Sequence, residues 1–250
     1  MWNNNMKTYK IEFKNVTLAY QNEVVLAFKY HFWSGKTYGI YGLSGVGKST
    51  LIKAILEPKL IAKGQILIND QDINKIDQKT YKTVKKDISF LFQEPSLIET
   101  DDVIENIKRK SNNIYNNWFY KVFRILTKEQ KNKLAKILEY LDIFDYINTP
   151  VKDLSGGQKQ RVELASIFFE NKNIILADEP TSNLDFINTK KILKYLQKYV
   201  HDNNALLLCN IHDVTNSLEY MDYILLLKNK RLVFIKQANN ISEKEFQEQY

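Results

Sequence analysis

Three short stretches hold residues whose types and spacing could do chemistry. The first is Gly42-Leu43-Ser44-Gly45-Val46-Gly47-Lys48-Ser49, a G-x-x-x-x-G-K-[ST] run. Its glycines let backbone N–H groups turn inward onto phosphate oxygens. The cradle comprises Gly42, Ser44, Gly45, Val46, Gly47, Lys48, Ser49 and Thr50. Lys48 can reach terminal phosphates, and the Ser49 hydroxyl can ligate Mg²⁺, which binds largely through substrate phosphates. The second stretch is Asp178-Glu179, closing the apolar run Ile174–Ala177. Asp178 is placed to hold Mg²⁺ through water. Glu179 could polarise an attacking water, a role worth roughly 10²–10⁴ in rate. The third is Ser155-Gly156-Gly157-Gln158, ahead of a helical pattern over Arg161–Glu170. A Ser-Gly-Gly turn at a helix start offers an exposed hydroxyl, free N–H groups and a helix dipole, hence a second anion site. One nucleotide does not need two such sites in one chain.

Elements must hold these groups. Lys36–Tyr41 reads as a buried strand running into the cradle, and Ser49–Leu56 follows with helical spacing until Pro58. Strand, glycine loop, helix is the context the first motif requires. Residues 7–34 alternate apolar and polar side chains and predict two or three strands of a meander; 64–69 and 88–92 predict short strands. Ile174–Ala177 and Leu206–Ile211 have the pattern of buried strands, each after a helix. Alternating βα units imply a mostly parallel sheet, an α/β fold. From about Ser96 to Asp153 the chain is charged, Asn-rich and helical in period. Lys128–Leu141 places Leu134, Ile137, Leu138 and Leu141 on one face. This stretch reads as an inserted helical subdomain. Residues 223–236 predict a last hairpin around Lys228-Asn229-Lys230.

Composition narrows the class. In 250 residues, 36 Lys+Arg against 29 Asp+Glu leave a net charge of +7, which suits an anionic partner without choosing one. The single cysteine, Cys209, allows no intrachain disulfide and sits in an apolar run as buried filler. No apolar stretch approaches the roughly 20 residues that span a bilayer, and residues 1–6 lack the charged-then-apolar order of a signal peptide. A disulfide scaffold, an integral membrane protein and a secreted protein are thereby excluded as expectations. Glycine is scarce, at eight residues, and five of them fall in the two clusters 42–47 and 156–157.

The run Leu154-Ser155-Gly156-Gly157-Gln158-Lys159-Gln160-Arg161 resembles the L-S-G-G-Q signature of the ATP-binding-cassette (ABC) ATPases. Other positions resemble that family in order and spacing. Gln93 matches its Q-loop glutamine, Ser182-Asn183-Leu184-Asp185 the loop that crosses its dimer interface, and His212 its switch histidine. Tyr20 stands where the family stacks an aromatic on adenine. Histidines 31 and 201 read as structural.

The resemblance implies a P-loop NTPase of ABC type in one domain, 1–250. It would have a mostly parallel core sheet with an antiparallel β subdomain (core 1–95 and 154–250) and a helical subdomain at about 96–153. It implies an ATPase using ATP and Mg²⁺. Lys48, Glu179 and His212 would be catalytic, and Ser49, Gln93 and Asp178 would be on the metal. Ser155, Gly156, Gly157 and Gln158 of one copy would close on the γ-phosphate held by the other. Implied partners are a second ATP-binding subunit, membrane permease subunits and an extracellular solute-binding lipoprotein, with the chain peripheral on the cytoplasmic face of the cell membrane. No nucleic-acid partner is expected, since ABC translation factors carry two cassettes and this chain has one cradle and one signature.

The segment from Trp118 through Leu126-Thr127-Lys128-Glu129, then Leu141–Ile143, resembles the helical subdomain of phosphonate-type importer ATPases, as does Asn210–Val214 followed by Leu218–Asp222. The Asn/Lys-rich composition resembles the ATP-binding subunit of the mycoplasma high-affinity transport system. An exporter or lipoprotein-release ATPase would show the same nucleotide motifs and stays open, as does, more remotely, a soluble ABC ATPase acting on RNA.

Overall fold

The computed structural model describes residues 8–21, 23–111, 114–115, 118–212, 217–241 and 246, except for the side chain at 121. Two long strands, β1 (Lys10–Tyr20) and β2 (Glu23–Trp33), form an antiparallel hairpin, and β3 (Lys36–Tyr41) leads into the cradle. Then come α1 (Lys48–Lys53), β4 (Ile61–Ile68), β5 (Gln71–Asp72), α2 (Gln78–Lys86) and β6 (Ile88–Leu91). Helices α3 (Val103–Lys110), α4 (Trp118–Phe123) and α5 (Lys128–Tyr140) fill the Asn-rich stretch. The chain continues through α6 (Gly156–Glu170), β7 (Ile174–Asp178), α7 (Phe186–Asn203), β8 (Leu206–Asn210), β9 (Tyr223–Lys228) and β10 (Arg231–Gln237).

Among the described residues the strands form one ten-stranded sheet, ordered β5-β4-β1-β2-β10-β9-β3-β8-β7-β6. Neighbours from β9 to β6 are parallel, whereas β5, β4, β1 and β2 pair antiparallel, as do β9 and β10. The antiparallel strands thus join the parallel core in the same sheet, through the single parallel register pair Arg231–Ala27 between β10 and β2.

Side chains alternate across a strand, and here both faces are buried. Ile175, Ala177, Leu207, Cys209, Ile224 and Leu226 face a core shared with α3, α5, α6 and α7. Ile174, Leu176, Leu206, Leu208, Leu225 and Leu227 face a second core with β1, β2 and α1. Continuous apolar runs are what a parallel sheet covered on both sides demands.

Several expectations shift at their edges. The helix after the third motif starts at Gly156, not Arg161. Ser155 is its N-cap, and its Oγ accepts from Gln158 N (3.3 Å) while Gln158 Oε1 accepts from Ser155 N (2.8 Å). That reciprocal box satisfies orphan first-turn donors, so the two glycines lie inside the first turn. The helix after the cradle stops at Lys53, three residues early, in a tight turn before Pro58. β4 begins at Ile61 rather than Gly64, and α2 was not anticipated. The last hairpin turns on Asn229-Lys230, both at positive φ (51° and 58°), as a two-residue turn between twisted strands requires. Asp213 and Val214 lie outside the described residues.

Candidate functional site

Ligands of parallel sheets bind outside the carboxyl ends of the strands, and the motif residues meet there. The cradle follows β3, Asp178 ends β7, and Asn210 ends β8 between them, in register with Asp178 and Ile40. Three loop glycines hold left-handed φ values: Gly42 at 146°, Gly45 at 77° and Gly47 at 108°. A Cβ on Gly42 would lie 2.3 Å from the Leu227 carbonyl oxygen, whereas one on Gly45 would meet open space.

A single cleft is lined by Val25, Ser44, Gly45, Gly47, Lys48, Ser49, Thr50, Glu179, Asn210 and His212. Lys48 is almost fully buried, and its Nζ donates to the Gly42 (2.6 Å) and Leu43 (3.2 Å) carbonyls. Burial draws its pKa below the ordinary lysine value, opposed by the Glu179 and Asp178 carboxylates. The Ser49 hydroxyl donates to Asp178 Oδ1 (2.8 Å), which also accepts from Asn210 Nδ2 (2.7 Å). Lys53 Nζ stands 3.5 Å from Asp178 Oδ2. His212 Nε2 is 2.6 Å from Glu179 Oε1. An ionised carboxylate only accepts, so in that state the imidazole proton sits on Nε2. Glu179 holds φ of 55°, a left-handed conformation that costs a non-glycine residue energy and concentrates at functional sites. Its carbonyl accepts from Ser182 N and Oγ, and its N–H donates to Asn210 O.

The structure therefore brings together Ser44, Gly45, Gly47, Lys48, Ser49, Thr50, Asp178, Glu179 and His212. Val46 is buried beneath the loop and Gly42 is wedged against β9. Tyr20 is exposed at the end of the first hairpin, and Gln93 is exposed just past β6; neither lines the cleft. Ser155, Gly156, Gly157 and Gln158 also stand outside it, with Ser155 and Gly156 exposed and Gly157 packed under Asn188.

The signature's mount is built from Arg161. Its Nη2 donates to Asn188 Oδ1 (3.0 Å), Nη1 to the Leu141 carbonyl (3.3 Å) and Nε to the Gly157 carbonyl (3.3 Å). Asp185, the N-cap of α7, holds Asn188 in turn. The Ser182–Asp185 run is thereby tied to the signature.

Asn210, Lys53 and Val25 were not anticipated as residues of the site. Asn210 had one signal, a carboxamide ending the run Leu206-Leu207-Leu208-Cys209. Its buried Oδ1 has no hydrogen-bond partner among the described residues. A larger polar cleft of about 330 Å³, lined among others by Lys36, Glu219, Asp222 and Tyr223, lies at the amino ends of β3 and β9 and holds none of the phosphate, metal or signature residues. There His201 Nε2 bonds Asp222 Oδ2 (2.9 Å), in keeping with a structural histidine.

Comparison with known proteins agrees with this geometry. The ABC transporter family model matches residues 26–182. The chain is 37% identical over 239 residues, 95% of its length and 96% of the other, to a Mycoplasma pneumoniae protein named "Probable ABC transporter ATP-binding protein p29". It is 30% identical over 242 residues, 96% of its length and 95% of the other, to the "Phosphonates import ATP-binding protein PhnC" of Lactobacillus johnsonii. Among solved structures, the ATP-binding cassette MJ0796, a dimer in a post-hydrolysis state bound to ADP and Pi, superposes with a TM-score of 0.74. It is 27% identical, with 91% of this chain and 98% of that one covered. A cradle on a lysine, a carboxylate pair two strands away at the same sheet end and a match over most of the chain place it in the ABC transporter family, as an ATP-binding subunit whose ATP hydrolysis is coupled to transport.

Proposed function

We propose that the chain powers a high-affinity importer of a small solute, of the phosphonate type, working as one of two ATP-binding subunits against membrane permease subunits. The observation that carries the two-copy reading is the split of the anion sites. Lys48, Ser49, Glu179 and His212 share one cleft, and Ser155–Gln158 stand outside it. A second copy, related by two-fold symmetry, supplies the missing half to each site. The dimeric MJ0796 cassette supports this arrangement. The name of PhnC supports import and phosphonates as the cargo class, and that of p29 supports an ATP-binding subunit of an ABC transporter.

Each residue's part follows from its chemistry. The cradle N–H groups and Lys48 bind the phosphates of ATP; Lys48 leaves the Gly42 and Leu43 carbonyls to do so. Tyr20 stacks on adenine. Ser49 and Asp178 fit a hard dication, being oxygen donors 2.8 Å apart, and no cluster of three or more His, Cys, Asp or Glu that could cage a metal exists among the described residues. They would hold Mg²⁺ with Gln93, and the ion would supply charge neutralisation on the phosphates. Asn210 keeps the Asp178 carboxylate turned toward Ser49. Glu179 takes the proton of the attacking water, held in place by His212. The Ser155 hydroxyl and the Gly157 N–H of the second copy grip the γ-phosphate.

The core, 1–95 and 154–250, carries nucleotide, and the helical subdomain, about 96–153, passes the motion to the permease. Among the described residues no helix is long and apolar enough to cross a membrane. The chain sits on the cytoplasmic face through its partners.

Affinity purification of the tagged protein from detergent-solubilised native membranes tests this reading. A multi-spanning permease with a solute-binding lipoprotein is the expected result. A permease without a binding protein would turn the reading to export, and ribosomes or no membrane partner would overturn it.

A further inference from the structure

Glu163 lies two turns into α6 from Ser155 and is buried, with its side chain 3% exposed. Its Oε1 serves two other parts of the chain. Lys110, the last residue of α3, donates to it through Nζ, and the backbone N–H of Ser96, three residues past Gln93, donates at 3.2 Å. Among the described residues, the buried Oε2 has no hydrogen-bond partner, and one turn back on the same helix Gln160 Nε2 is a buried donor without one. Buried carboxylates persist where they are paired, and idle capacity in a buried polar network is costly. One oxygen carries both bonds while the other and a nearby donor stand idle. Such a network has room for a second arrangement, in which Ser96 shifts and the carboxylate turns.

We propose that Glu163 is a positioning residue that couples the loop after β6, which carries Gln93, to the helix that carries the signature. Movement of that loop on nucleotide binding is transmitted through Ser96 and Lys110 to α6, and sets how Ser155 and Gly157 present themselves to the second copy. The inference rests on the two-copy reading above. It needs no contact between Glu163 and nucleotide, since Glu163 does not line the cleft.

The test uses the full chain carrying Glu179→Gln, which retains ATP. Three quantities are measured: the dissociation constant of the ATP-driven dimer, the affinity of the monomer for a fluorescent ATP analogue, and amide exchange at residues 94–97. Glu163→Gln and Lys110→Met should each weaken the dimer about tenfold, within the usual range of coupling between sites. Nucleotide affinity of the monomer should stay within about twofold, and exchange at 94–97 should quicken. If Glu163→Gln fails to fold, the half-buried Lys110 carries the test alone. Dimerisation equal to the parent, an equal loss of monomer nucleotide affinity, or unchanged exchange at 94–97 would overturn the proposal. A parent that never dimerises with ATP would instead overturn the two-copy reading on which it stands.

Discussion

Replacing Asn210 by alanine separates the orientation of Asp178 from the stability of the fold. Asn210 is fully buried, and its Nδ2 donates to Asp178 Oδ1 at 2.7 Å and lies 3.4 Å from Ser49 Oγ. Losing a hydrogen bond to a charged group costs about 1.5–3 kcal/mol, and removing the unpaired Oδ1 returns about 1–3 kcal/mol. Asp178 keeps the Ser49 hydroxyl at 2.8 Å. The two terms nearly cancel, so net stability should change by less than about 2 kcal/mol, or by less than about 8 °C in Tm for a chain of this size. Function should change more. A residue that orients a metal ligand is worth about 10–100-fold in affinity, so Mg·ATP should bind Asn210→Ala about 10–100-fold more weakly. ATP in EDTA should bind both proteins alike, because the cradle and Lys48 are untouched. Fluorescent-nucleotide titration with and without Mg²⁺, beside thermal melts, reads both quantities. An equal loss in EDTA, or a Tm drop well beyond 8 °C with Mg·ATP affinity intact, would refute the reasoning.

Other consequences are sharper in direction than in size. Gly42→Ala should abolish nucleotide binding or folding, since its Cβ would sit 2.3 Å from a carbonyl oxygen; Gly45→Ala meets open space and carries only the strain of its φ, about 1–2 kcal/mol. Equal effects of the two in paired binding and melting curves would contradict the cradle geometry. Cys209 is fully buried, and burial pushes its thiol far above the ordinary range, so a thiol reagent should label it only after denaturation; rapid labelling of the native protein would refute that. Burial draws Lys133 down to about 8, opposed by Glu129. Its charged form is therefore disfavoured in the folded state, and the penalty is full below pH 8 and relieved as the pH rises toward 10.5. The urea-melt stability of the wild type relative to Lys133→Met should rise between pH 8 and 10.5, and a flat or falling difference would contradict it.

What could be read from the residues alone was what depends on local backbone demands. The cradle glycines, the lysine and the carboxylate pair announce themselves because few other residues tolerate those conformations or supply that chemistry. The buried strands were legible as apolar runs. The start of α6 was not, because glycine reads as a breaker, and the Ser155–Gln158 capping box outweighs that propensity. Helix α2 escaped because only Tyr81 and Val84 pack against the core, which leaves a mostly polar segment with no stripe. Joining of the antiparallel strands to the parallel core rests on one register pair, Arg231–Ala27, remote in sequence and without a local mark. Asn210 was hidden for a like reason: its partners, Asp178 and Ser49, are brought to it only by strand order.

The most direct test of the account is the behaviour of Glu179→Gln with ATP. In the proposed mechanism Glu179 is the base and the second copy's signature is the closing half of the site. Glu179→Gln should hydrolyse ATP roughly 10²–10⁴-fold more slowly than the wild type, and light scattering should show it shift from the 29.5 kDa chain to a species of twice that mass when ATP is added. Hydrolysis near the wild-type rate would remove Glu179 from the chemistry. A protein that binds ATP and stays at the mass of one chain would contradict the split of the site between two copies.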